Sequence, residues 1–211
     1  MKKYFLLIVI ILLTVLAIWA PWNSLLDKVL RTTGLSVNKP ASLSITSKVG
    51  ECTVYIDGKN VGTTPYENDN LSTTKHDIKL ERVTETPEFY TTFERAIDIE
   101  EGTQVIINWE LGPSDEFSSG EIYFFKERLD STESNSSVSI IPHPNSAIVY
   151  FDGAIQEEAP IIVTGVKESR HQIKAEQEGY LSAEYEVQTM TGYDLFVEFR
   201  LFPIPITVES T

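Results

Sequence analysis

The stretch Val54-Tyr55-Ile56-Asp57-Gly58 recurs as Val149-Tyr150-Phe151-Asp152-Gly153, with one residue changed. The two copies are 95 positions apart in the chain. In both copies apolar and polar side chains alternate, which is the pattern of a half-buried β-strand. The Asp-Gly pair that follows tolerates the positive φ angles of a tight hairpin turn. This stretch therefore predicts a strand and a hairpin turn that the chain contains twice.

The repetition continues on both sides of this stretch. His76 and His171 are also 95 positions apart, and Gly102 and Gly192 are related by an offset of 90. A colinear match over roughly seventy residues is an internal duplication, and its period is too long for a solenoid, whose repeats span about 20–50 residues. The chain is therefore expected to hold two small domains in tandem.

Strand-like alternation of apolar and polar residues continues after Leu35, whereas sustained helical periodicity does not. Further alternating segments lie at 76–83, 92–99 and 104–111, with counterparts at 171–177, 183–189 and 194–201. We predict an all-β fold of two tandem small antiparallel β-sandwich modules, at 41–127 and 137–203, preceded by one N-terminal transmembrane helix. Residues 121–126 are expected to add a strand to the sheet of the first module.

Polar residues fill the segment between the two predicted modules. Positions 128–136 read Arg-Leu-Asp-Ser-Thr-Glu-Ser-Asn-Ser and offer almost nothing to a hydrophobic core. We predict a flexible polar linker there, which would set the reach of the two modules. Residues 204–211 are predicted to form a C-terminal tail.

The amino terminus carries a run of 17 uncharged, mostly apolar residues, Tyr4 to Ala20, preceded by two lysines. As a helix this run is about 25 Å long, close to the ~30 Å of a bilayer core. A cleaved signal peptide is the alternative, but its apolar region is usually about 7–15 residues long and ends at a small-x-small site. Here Ile18 occupies a position that should be small and Pro21 follows the candidate site, so an uncleaved signal anchor at 1–22 is favoured.

The positive-inside tendency sets the predicted orientation of this anchor. Lys2 and Lys3 stay in the cytoplasm, and the C-terminal modules become extracytoplasmic in a single-pass cell-membrane protein. Residues 23–40 are predicted to form a juxtamembrane amphipathic stalk and linker, because Leu25, Leu26, Val29 and Leu30 follow helical spacing. A helix that binds a partner is the alternative for this segment.

Charge and cysteine usage exclude several classes of function. The formal net charge of −14 repels phosphate backbones, so no nucleic-acid partner is expected. Cys52 is the single cysteine in the chain and is expected to be a buried, inert thiol without an intrachain disulfide.

No pattern in the sequence carries recognisable catalytic chemistry. His76 and His171 are repeat equivalents, which indicates a role in the architecture, and His143 lies in an Ile-Pro-His-Pro turn. Asp57 and Asp152 are explained by their turns and lack neighbouring carboxylates for a calcium cage. We therefore predict no catalytic, cofactor-binding or metal-binding residues, no cofactor, and no enzymatic activity.

The pattern of the first repeat resembles the PEGA domain. It is carried by residues 54–65, Val-Tyr-Ile-Asp-Gly-Lys-Asn-Val-Gly-Thr-Thr-Pro, followed by a histidine that opens a strand. The second repeat keeps Tyr150-Phe151-Asp152-Gly153, His171 and Gly179-Tyr180 but lacks the Gly-x-Thr-Pro turn, and the first lacks Gly-Tyr. The resemblance covers about 41–111 and 137–201.

This resemblance implies small β modules of bacterial and archaeal cell-surface and envelope proteins, often in tandem beside membrane segments, with no catalytic activity and no generally established ligand. We expect a non-enzymatic membrane-anchored envelope protein that displays two β modules for structural or adhesive interaction with a protein or glycan. The alternative is a carbohydrate-binding accessory module or an enzyme with an unrecognised site. An exposed aromatic row in both repeats would favour glycan binding, and a deep pocket with perturbed carboxylates would favour an enzyme.

Overall fold

Short strands joined by turns make up the computed structural model, which describes residues 39–128, 135–156 and 160–205. The strands of the first repeat are β1 Ala41–Thr46, β2 Cys52–Ile56, β3 Lys59–Thr63, β4 Tyr66–Leu71, β5 Lys75–Arg82, β6 Phe93–Asp98 and β7 Gln104–Glu110, and β8 Ser119–Glu127 follows them. Those of the second repeat are β9 Ser136–His143, β10 Ile148–Phe151, β11 Ala154–Gln156, β12 Ile161–Val166, β13 Arg170–Glu176, β14 Ala183–Gln188 and β15 Tyr193–Arg200. Two short 3-10 turns lie at Pro87–Phe89 and Asp115–Phe117.

The all-β prediction is confirmed for the described residues, which contain no α-helix. The predicted anchor at 1–22 and most of the predicted stalk at 23–40 lie outside those residues, as does most of the predicted linker. Within the described part of the chain, no helix has the length and apolar character needed to cross a membrane.

Three sheets hold these strands together. One has seven strands in the order β12-β9-β15-β8-β7-β1-β4, and the other two have four strands each, β3-β2-β5-β6 and β11-β10-β13-β14. The two four-stranded sheets are repeat equivalents of each other. In each, a turn with positive φ at both Asp and Gly joins the two strands of the predicted hairpin.

The seven-stranded sheet runs through both repeats because of strand β8. As predicted, β8 pairs with β7 of the first repeat, but its other edge pairs along its length with β15 of the second. The hydrogen bonds of β8, rather than the segment that follows it, therefore fix the position of one repeat against the other.

The prediction of purely antiparallel modules is wrong for two strand pairs. β1 is parallel to β7, with Leu43 beside Val105, and β9 is parallel to β15, with Val138 beside Leu195. These registers are repeat equivalents. Alternation along a strand reports which side chains are buried and carries no information on the direction of a neighbouring strand, so the sequence pattern could not reveal the parallel pairs.

The two hydrophobic cores lie on opposite faces of the shared sheet. In β8, Ile122 and Phe124 contact the core of the first repeat, whereas Tyr123 and Phe125 contact the core of the second. Side chains on a strand alternate between faces, so each four-stranded sheet covers a different face of the seven-stranded sheet. The second core reaches as far as Ile106 of β7, so the part of a face that lies farther into the other repeat is the part left uncovered.

Candidate functional site

Each Asp-Gly turn is tied to the histidine singled out in the sequence. Asp57 Oδ2 lies 2.7 Å from His76 Nδ1, and Asp152 Oδ2 lies 2.6 Å from His171 Nδ1. The other oxygen of each carboxylate accepts the backbone N–H of the residue after the histidine, at 3.0 and 2.9 Å. The carboxylate thereby supports a residue whose φ is positive, 53° at Asp57 and 49° at Asp152.

The second ring nitrogen of each histidine also faces an acceptor. Nε2 lies 2.9 Å from the carbonyl of Ser72 in the first repeat and 2.9 Å from that of Lys167 in the second. Burial lowers the pKa of His171, but its hydrogen bonds to Asp152 and Lys167 and the charge of Asp152 outweigh this, so the pKa is raised. Because the same contacts occur in both copies, they fit a structural role in holding the hairpin turn better than a catalytic role.

One buried carboxylate lies beside a cavity of about 300 Å³, the feature that would favour an enzyme. Glu121 is 5 % exposed, and burial raises its pKa. It accepts a hydrogen bond from Asn108, and the ammonium of Lys48 lies 3.6 Å away. Both partners stabilise the Glu121 carboxylate, and the hydrogen bond from Asn108 holds it within the sheet.

In the described part of the chain no group of three or more His, Cys, Asp or Glu residues could hold a metal ion.

The aromatic residues do not form a row on the outer faces of the described four-stranded sheets. Each face carries a single tyrosine, Tyr55 or Tyr150, covered by a lysine ammonium 5.6 or 5.7 Å from the ring centroid. Tyr185 points inward and packs on Phe199 with 5.0 Å between ring centroids. The geometry expected of a glycan-stacking face is thus not found there.

The uncovered half of the shared sheet in the second repeat carries three large exposed apolar side chains. Ile141 of β9, Ile162 of β12 and Phe196 of β15 are 39 %, 65 % and 37 % exposed. All three are on the face opposite the second core, since their strand neighbours point into that core. We call this surface, defined by Ile141, Ile162 and Phe196, the apolar face.

The first repeat serves as an internal control for the apolar face. Its equivalent positions are Thr46, Glu67 and Ile106, on the opposite face of the same sheet. The edge strands differ in the same way, because β12 reads Ile-Ile-Val-Thr-Gly-Val without a charge and β4 reads Tyr-Glu-Asn-Asp-Asn-Leu. At positions 141 and 162 the fold therefore does not require an apolar residue, whereas Ile106, the equivalent of Phe196, is also apolar and packs on the second core. No motif marks them in the sequence, and only a position-by-position comparison of the two copies singles them out.

An ion pair between the repeats borders the apolar face. Arg95 of β6 binds Glu198 of β15 through both terminal nitrogens of its guanidinium, and His143 Nε2 lies 3.1 Å from the same carboxylate. Burial raises the pKa of Glu198, but Arg95 and His143 outweigh burial and hold it below its usual range. Glu198 thus ties the first four-stranded sheet to the second repeat.

A cleft of about 670 Å³ opens where the loop after β7 meets the second repeat. Its walls include Glu116, Phe117, His143, Pro144, Tyr180 and Pro203. Arg200 also lines it, with its guanidinium 5.9 Å from the ring centroid of Trp109 and a hydrogen bond of 2.8 Å to the carbonyl of Asp115. The cleft combines aromatic walls with a held cation.

Part of the chain is similar to a known family of domains. Residues 41–115 match the family model described as the PEGA domain, which spans β1 to β7 and ends before β8. No curated protein matches the chain.

Proposed function

We propose that this chain is a non-enzymatic, membrane-anchored envelope protein that holds two PEGA-like modules outside the cell and binds a partner protein through the apolar face. The PEGA match at 41–115 supports the first module. The same strand order and parallel register in the second repeat support a second module of the same kind. The uncharged run at 4–20 supports a single-pass anchor with a cytoplasmic N-terminus.

The apolar face carries this proposal. Ile162 and Phe196 flank Ser139 on neighbouring strands, and Ile141 lies two positions further along β9. Clusters of exposed apolar side chains mark interaction sites on protein surfaces. Sugars need hydroxyl-binding side chains, whereas Ile141, Ile162 and Phe196 offer none. The face continues to the edge strand β12, whose outer edge pairs with no other strand of the described residues. We infer that the partner supplies an extended apolar segment that pairs with β12 and packs on the face.

Site-specific crosslinking in cells tests this proposal. A photoreactive residue at position 162 of the full chain is expected to give a discrete adduct with a partner protein, and the matched position 67 in the first repeat is expected to give none. The triple variant Ile141→Thr, Ile162→Glu, Phe196→Ile gives the second repeat the residues of the first. For this comparison the photoreactive group is placed at position 139, which is nearby on the same face. The otherwise unchanged chain should give an adduct from position 139, and the triple variant should not. Equal adducts at 162 and 67, or adducts unaffected by the triple variant, would rule the face out.

Protease accessibility tests the topology separately. With a C-terminal tag on the full chain, external protease is expected to remove the tag from intact cells, and undigested protein should stay in the membrane fraction at full length. A protected tag would invert the topology. A soluble protein shorter by roughly twenty residues would mean that the signal segment is cleaved.

A further inference from the structure

The first repeat contains the structural equivalent of the cleft, at the place where the ends of β5 and β7 meet the loop before β2, and we call this place the corner of each repeat. In the first repeat an arginine side chain fills the corner. The guanidinium of Arg82 lies 5.3 Å from the ring centroid of Tyr90 and forms an ion pair of 3.0 Å with Glu110. It also donates to the carbonyl of Val49. The Arg82 side chain is only 11 % exposed, so it fills this corner.

In the second repeat the same corner is open and its charge is inverted. The equivalents of Arg82, Tyr90, Glu110 and Val49 are Gln177, Tyr180, Arg200 and Pro144. The ring is retained, the filling guanidinium is replaced by a shorter neutral side chain, and the carboxylate has become a guanidinium. The cleft of about 670 Å³ lies at this corner, with Tyr180, Pro144 and Arg200 in its walls.

Arg200 has donors to offer to a ligand. Trp109 and the Asp115 carbonyl hold its guanidinium in place, and within residues 39–128, 135–156 and 160–205 it forms no ion pair. Glu116 lines the same cleft without pairing with it. On a chain with a net charge of −14, a held cation without a carboxylate partner is the complement of an external anion.

We propose that this cleft binds a carboxylate attached to an aromatic or apolar group. The carboxylate accepts hydrogen bonds from Arg200, and the apolar group packs between the rings of Phe117 and Tyr180, in the place that Arg82 takes in the first repeat. Proline and aliphatic side chains make up most of the remaining wall, which suits an apolar group, and Glu116 and His143 complete it. This site is distinct from the apolar face, and the two proposals fail independently.

Matched probes test the charge requirement. We would titrate N-acetylphenylalanine and its neutral amide against the full chain in detergent micelles by ligand-observed NMR, with empty micelles as the blank. The acid is expected to bind at least about tenfold more tightly than the amide, because a charge-assisted hydrogen bond is lost with the amide. Arg200→Gln should remove this difference, and Arg170→Gln, at an exposed arginine paired with Glu186, should leave it unchanged. Equal binding of acid and amide, or an effect of Arg170→Gln as large as that of Arg200→Gln, would overturn the proposal.

Exchanging the two corners keeps the test independent of folding. Gln177→Arg with Arg200→Glu rebuilds the filled corner and is expected to abolish binding without lowering the unfolding temperature. Binding that survives this exchange would place the ligand elsewhere.

Two further probes identify the source of the carboxylate. A heptapeptide ending in phenylalanine that binds more than tenfold more tightly than N-acetylphenylalanine would indicate the C-terminus of a protein, and equal affinities would indicate a small free carboxylate. Preferential binding of glucuronate would overturn the proposal in favour of an acidic glycan.

Discussion

Replacing Ile122 by alanine is expected to destabilise both repeats at once, although its side chain contacts only the first core. Ile122 is fully buried in β8, which pairs with β7 on one side and β15 on the other. Removing a buried isoleucine side chain down to Cβ costs about 2–5 kcal/mol, and we expect roughly 3 kcal/mol because β8 is held on both edges and cannot collapse into the cavity. For a folded unit of this size that free energy lowers the melting temperature by about 6–12 °C.

The assay is thermal unfolding of the full chain in micelles, followed by near-UV circular dichroism and by the fluorescence of a label in the second repeat. A single coincident transition is expected for both probes, shifted to lower temperature in Ile122→Ala. Ile141→Thr is the matched control, since this exposed residue should change the stability by less than about 0.5 kcal/mol. Two separate transitions, with only the first repeat shifted, would refute the idea that β8 couples the repeats.

Three more predictions concern polar and backbone features. Relative to a His171→Gln variant, the wild type is expected to be most stable between about pH 4 and 6.5. The raised pKa of His171 contributes stability that is lost as the pH rises through that pKa, and the lowered pKa of Asp152 contributes stability that is lost as the pH falls through it. A difference in urea midpoint between the two proteins that does not vary from about pH 3 to 9 would contradict this. A double-mutant cycle with Arg95→Gln and Glu198→Gln should give a coupling free energy of about 1 kcal/mol, reduced by the exposure of the arginine, and a zero value would show that the ion pair does not join the repeats. Gly120→Ala should cost at least about 2 kcal/mol in chemical denaturation, since φ is +156° and a Cβ would lie 2.3 Å from a backbone carbonyl oxygen, and a neutral substitution would show that this strand contact is wrong.

Local patterns in the sequence predict the strands and turns well, but not how the strands assemble. Asp57-Gly58 and its copy form the hairpin turns that their side chains favour. The direction of β1 relative to β7 could not be predicted, because strands of a separate sheet lie between them in the chain. The run Ile122-Tyr123-Phe124-Phe125 does hold a signal for the shared strand, since continuous apolar runs are typical of strands buried on both faces.

The candidate sites were less predictable than the fold, for a physical reason. An isoleucine at position 141 or 162 reads the same whether it is buried or exposed, and exposure depends on which half of the sheet a partner sheet covers. Arg200 resembles any surface cation until its partners are known. The duplication provides the missing reference, because a position that is polar in one copy and apolar in the other is not fixed by the fold.

The continuous seven-stranded sheet also decides how the two repeats can act together. With neighbouring strands about 4.8 Å apart, its two edge strands are separated by roughly 29 Å of hydrogen-bonded backbone. The repeats therefore cannot swivel against each other, and a partner with two binding elements meets them at one spacing and in one orientation. Such a partner gains avidity only if its two binding elements match that spacing, because no flexible linker lets the distance between the repeats vary.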